Sequence, residues 1–145
     1  MKKGKVLVPV FALGRTQELL LLLDDYWERY PKYRNLGKIF YLNELANRSM
    51  VLFKESTHMM NKRVQDIINK EQYNPFDFRH VSIPGKMDDG SAWDIHKMPP
   101  CVILCSPAMM ENGMSRMVLE KIADGENNMV ILTGYCMAVG SDDCQ

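Results

Sequence analysis

Residues 6–30, VLVPVFALGRTQELLLLLDDYWERY, pass from a solid apolar run into an apolar stripe with three- and four-residue spacing, across a hinge at 11–15. A strand buried on both faces reads as a continuous apolar run, and an amphipathic helix reads as such a stripe. A strand that feeds a helix through so short a turn predicts the first unit of an open α/β sheet with right-handed crossovers. In the helix Leu19, Leu20, Leu23, Tyr26, Trp27 and Tyr30 form the stripe, while Glu18, Asp25, Glu28 and Arg29 lie largely off it. Pro31 marks the stop.

The pattern repeats along the chain. After a first strand at 5–10, others are predicted at 38–42, 78–82, 101–105 and 129–133. The longest helix is predicted from an N-cap at Asn43 to about Glu71, with Leu45, Leu52, Phe53, Met60, Val64, Ile67 and Ile68 on its apolar side. A third begins after Gly113, with Ser115 as N-cap, and stops at Gly125. Residues 83–100 hold Pro84-Gly85, Asp88-Asp89-Gly90 and Pro99-Pro100 and read as a long surface connection, with one short helical turn around Trp93. The predicted fold is therefore α/β: a three-layer open, mainly parallel sheet of about five strands with helices on both faces.

A chain of 145 residues, 46% of them apolar, fits one domain with a substantial core. Eighteen basic residues balance eighteen acidic ones, so only a local patch can attract a polyanion. No apolar stretch approaches the ~20 residues of a membrane span, and Met1-Lys2-Lys3-Gly4 leads straight into a strand, so the chain reads as intracellular with no membrane partner. Cys101, Cys105, Cys136 and Cys144 form no C-x-x-C pair. The first two, four apart on a strand, are separated by roughly 13 Å. That exceeds the reach of a disulfide, and the expectation is small buried thiols.

In open parallel sheets ligands bind beyond the carboxyl ends of the strands. Three strand exits carry candidate residues. At the first, Gly14 allows close backbone approach and Arg15 presents a planar fork for phosphate or carboxylate, or else pairs with Glu18. The second holds Ser106, Gly113 and Ser115, and the third Gly134 and Tyr135. Their convergence on one sheet edge carries the functional reading. Neither G-x-G-x-x-G nor G-x-x-x-x-G-K-[ST] occurs, His58, His80 and His96 lack metal-ligand spacing, and Asp24-Asp25 reads as a solvated pair. No catalytic set and no metal site closes within these residues.

PVFALGRTQELLLLLDDYW, SPAMMENGMSR and ILTGYC, in this order, together with NPFDFRHVS at 74–82, resemble the β-CASP region of metallo-β-lactamase-fold RNA nucleases, above all those of the cleavage and polyadenylation specificity factor. The resemblance covers nearly the whole chain. It implies a β-CASP cap beside a metallo-β-lactamase domain of the same chain, with pre-mRNA in the cleft between them and two zinc ions held chiefly by that other domain. The chain would then be a piece of a longer nuclear endoribonuclease, inactive alone, working with other cleavage and polyadenylation subunits. Where the family usually has S-P-G, Ser106-Pro107-Ala108 stands, and beyond Tyr135-Cys136 its V-E-G-T is replaced by Met137-Ala138-Val139-Gly140. Two alternatives remain at this point: the β-CASP region of a non-catalytic sister subunit acting as an interaction module, and an independent nucleotide-binding α/β domain.

Overall fold

The computed structural model describes residues 4–34, 37–43, 45–71, 73–84 and 95–133. Among these residues five strands, β1 (Lys5–Pro9), β2 (Lys38–Leu42), β3 (Val81–Ser82), β4 (Cys101–Cys105) and β5 (Met129–Val130), form one sheet in the order β3-β2-β4-β1-β5. Every pairing is parallel, and the central register sets Leu7 beside Ile103 and Phe40 beside the same Ile103. The helices among the described residues are α1 (Arg15–Arg29), α2 (Pro31–Arg34), α3 (Ala46–Glu55), α4 (Lys62–Glu71) and α5 (Gly113–Ile122). The predicted three-layer α/β sheet is what forms. No helix among the described residues is long and apolar enough to cross a membrane.

Strand alternation builds two cores. Val8, Val10, Ile39, Tyr41 and Leu104 point to one face, where Leu20 of α1 and Met50 of α3 cover them. Leu7, Leu42, Ile103 and Cys105 point to the other, under Val118 and Ile122 of α5 and Ile95. Because successive strand residues face opposite layers and both layers are apolar, the strands read as unbroken apolar runs. Cys101 and Cys105 are buried free thiols, and burial pushes the Cys105 thiol up to about 12.

Several predicted boundaries are corrected. The long helix at 43–71 is two helices, α3 and α4, joined by a 3-10 turn (Ser56–Met59) and a break at Met60, whose ψ of 173° is extended. The break is held by Gln65, whose Nε2 donates to the carbonyls of His58 and Met60, while Asn61 Oδ1 accepts the Val64 N–H and starts α4. Asn43 caps no helix; its Oδ1 accepts the Leu45 N–H in a turn before α3. Asp24 is not a solvated partner of Asp25: it is buried, and its carboxylate accepts the N–H groups of Arg79 and His80. The His80 N–H is thereby withdrawn from the ladder, although its carbonyl still accepts the Ile39 N–H, and β3 spans two residues instead of the predicted 78–82. The fifth strand likewise spans Met129–Val130 only. The short 3-10 turn of the long connection is Ile95–Lys97; Trp93 lies outside the described residues, as do Cys136 and Cys144 and the side chain of Ile67.

Candidate functional site

β1 and β4 are neighbours, yet the helices that follow them leave to opposite sides: α1 leads toward β2 and α5 toward β5. A crevice opens at such a switch point because the two departing connections diverge. Here it is a cavity of about 780 Å³ at the carboxyl ends of β1, β4 and β5. Its wall comes from the β1 exit (Val10, Phe11, Leu13, Gly14, Arg15), from Thr16 and Leu19 of α1, from Ala108, Met109 and Met110, and from Leu132 and Thr133.

The β1 exit is pinned from three sides. The Val10 N–H donates to the Cys105 carbonyl at 2.9 Å, and the Thr133 hydroxyl to the Pro9 carbonyl at 3.0 Å. The Ala12 carbonyl accepts the Tyr41 hydroxyl at 2.7 Å and Gln17 Nε2 at 3.2 Å, and the Thr16 hydroxyl reaches the Phe11 carbonyl. Burial raises the Tyr41 pKa, so that hydroxyl stays a donor. Gln17 Oε1 is buried and has no hydrogen-bond partner among the described residues. Gly14 adopts φ 103°, ψ −121°, a conformation open essentially to glycine alone. Among the described residues a Cβ there would meet nothing within 4 Å, so the backbone conformation by itself calls for glycine.

The second exit is a compact loop around a cis Ser106–Pro107 peptide. The Ser115 N–H donates to the Ser106 carbonyl at 3.1 Å and the Ser115 hydroxyl to the Pro107 carbonyl at 2.7 Å. Ser115 is therefore fully buried inside α5, whose N-cap is Asn112, and is not the predicted cap. Gly113, at φ 69°, lies so near Pro107 that a Cβ would stand 3.2 Å from its Cδ.

Of the candidate residues, Gly14 and Arg15 sit in the cavity wall, whereas Ser106, Gly113 and Ser115 build the loop behind it. Gly134 and Tyr135 lie outside the described residues. Arg15 is exposed, forms no ion pair with Glu18, and is the only charged residue among the described lining residues. Sequence reasoning passed over the apolar wall: Phe11, Leu13 and Leu132 are 61%, 55% and 60% exposed. Its signal was there, since large apolar side chains inside a turn have no core to enter. A mostly apolar trough with one guanidinium can take an apolar partner surface on its wall and an anionic group at its rim. Among the described residues no group of three His, Cys, Asp or Glu could hold a metal ion.

Residues 16–140 match the family model of the Beta-Casp domain. The chain is 40% identical over 136 residues to Endoribonuclease YSH1 of Eremothecium gossypii, covering 92% of this chain and 17% of that protein. It is 42% identical over 132 residues to Endoribonuclease ysh1 of Schizosaccharomyces pombe, covering 91% and 16%. To Cleavage and polyadenylation specificity factor 73 of Drosophila melanogaster it is 40% identical over 134 residues, covering 92% and 18%. The chain thus spans about a sixth of the length of these relatives. With a parallel five-stranded sheet and a family match across most of its length, the chain belongs to the Beta-Casp domain family.

Proposed function

We propose that this domain forms the RNA-covering wall of a metal-dependent endoribonuclease acting in nuclear pre-mRNA cleavage and polyadenylation. The observation that carries the reading is the trough at the β1/β4 switch point, an apolar wall with Arg15 at its edge. Such a surface divides the work: Phe11, Leu13 and Leu132 dock against a neighbouring metallo-β-lactamase domain, and the Arg15 guanidinium meets RNA phosphate beside that contact. The names borne by the relatives, endoribonuclease and cleavage factor, support the same reading.

The described residues do not fit the two zinc ions that the reading calls for. Cys101 and Cys105 are buried with raised pKa values, which disfavours the thiolates that bind metal, and no cluster of ligating side chains forms among the described residues. In this reading the ions are held outside them. The test is cleavage of a pre-mRNA 3′-end substrate by the full-length protein. Chelator-sensitive cutting is expected, while residues 1–145 alone are expected neither to cut nor to bind zinc tightly. A full-length protein that binds the substrate without cutting it would instead support the interaction-module alternative.

A further inference from the structure

The opposite edge of the sheet carries a surface that the trough does not use. Tyr26, Trp27, Tyr30 and Tyr33 gather where α1 ends and α2 begins, with ring centroids 4.7 to 6.3 Å apart. Tyr26 and Tyr30 remain 43% and 45% exposed. Beside them, at the amino ends of β2 and β3, lies a cavity of about 380 Å³ whose wall includes Trp27, Arg34, Lys38, Arg79 and His80, and no carboxylate among the described lining residues.

The cations there are oriented and in surplus. Arg34 donates to the Trp27 and Glu28 carbonyls at 3.2 and 2.9 Å, which fixes its guanidinium at the cavity mouth. Glu28 is shared among Arg34, Arg79 and His80, so one carboxylate faces two guanidiniums. Arg29 is paired with Asp25, Lys32 lies 4.8 Å over the Tyr33 ring, and Lys38 forms no ion pair among the described residues. In a chain of zero formal net charge this is a local positive field next to two half-exposed tyrosine rings.

We propose that the Tyr26/Tyr30 surface and the Arg34–Lys38–Arg79 cavity together bind single-stranded RNA, bases stacking on the tyrosines and a phosphate entering the cavity. Single strands offer flat rings and phosphates in alternation, the two things this surface is built to take. An acidic peptide satisfies the cations and leaves the rings without partners, and a duplex hides its base faces. The choice of RNA as the polymer rests on the function proposed above.

The experiment is photocrosslinking of a 4-thiouridine oligoribonucleotide to the full-length protein, mapped by mass spectrometry, with parallel anisotropy titrations. Crosslinks are expected at residues 26–38 and 79–82. Tyr30→Ala, whose exposed ring permits the change without unfolding, is expected to weaken binding about fivefold to tenfold. Lys38→Ala is expected to lower the salt slope by about 0.7. Crosslinks confined to 11–15 and 108–110, with Tyr30→Ala unchanged, would overturn the proposal and leave the function of the trough standing. Equal affinity for duplex RNA or polyglutamate would overturn it in favour of plain polyanion attraction. Crosslinks at the tyrosines in a protein that fails to cut RNA would uphold it while the proposed nuclease role fell.

Discussion

The carboxylate of Asp24, two-thirds of the way along α1, accepts the backbone N–H of His80 at 2.7 Å and that of Arg79 at 3.1 Å, so one helix side chain holds the start of a strand some fifty-six residues away. Two part-buried donors depend on a single acceptor group. Replacing Asp24 by Ala leaves both N–H groups without a partner, and the expected loss is about 1–3 kcal/mol in chemical denaturation. Asp24→Asn, which keeps one oxygen acceptor, should lose less. An Asp24→Ala protein as stable as the parent would show that water replaces the carboxylate freely.

One turn further along α1, Glu28 joins the same segment. The hydrogen bond from His80 holds its carboxyl below the ordinary 4.5, with Arg34 and Arg79 adding to the effect and burial opposing it. A depressed carboxyl contributes stability that is present above the unfolded value and is lost as pH falls through the folded one. Thermal melts of the parent and Glu28→Gln should therefore differ near neutrality and converge on acidification below about pH 4.5. A constant difference across that range would contradict the linkage.

Gly14 holds φ 103° in open space. Gly14→Ala is expected to cost about 1–3 kcal/mol through backbone strain alone, read by denaturant midpoint. A neutral substitution would mean that the hinge relaxes.

Tyr41 ties β2 to the hinge through the Ala12 carbonyl, and Asn43 Nδ2 donates to its oxygen at 3.1 Å. Tyr41→Phe strips the Ala12 carbonyl of one of its two donors, with an expected loss of about 1 kcal/mol. Amide exchange should rise around 11–14 and not at β2. Uniform protection changes would place the loss elsewhere.

Much of this was legible in the sequence, for physical reasons that differ by element. The strands at 5–10, 38–42 and 101–105 announced themselves because both faces are buried, and α1 because its stripe includes Leu20 and Leu23 under the sheet. The failures were long-range. Asp24 looked solvated because its partners are 55 and 56 residues distant, and that contact takes up the Arg79 and His80 N–H groups just before the two-residue strand. The break between α3 and α4 had a local sign in Asn61, a cap residue inside an otherwise continuous apolar pattern. In the trough, Arg15 was visible as a cation after a glycine. The exposure of Phe11 and Leu13 was not, because it follows from where β4 and β5 end and not from the hinge itself.

The central claim is that the trough at the β1/β4 switch point is the working surface of the domain. The most direct measurement is single-turnover RNA cleavage by the full-length protein carrying Phe11→Asp or Arg15→Glu, with thermal stability measured alongside. The account predicts at least about a tenfold loss of rate for each, since misplacing the wall or the phosphate contact disturbs reacting geometry, with the melting temperature nearly unchanged. Undiminished cleavage by both variants would contradict it.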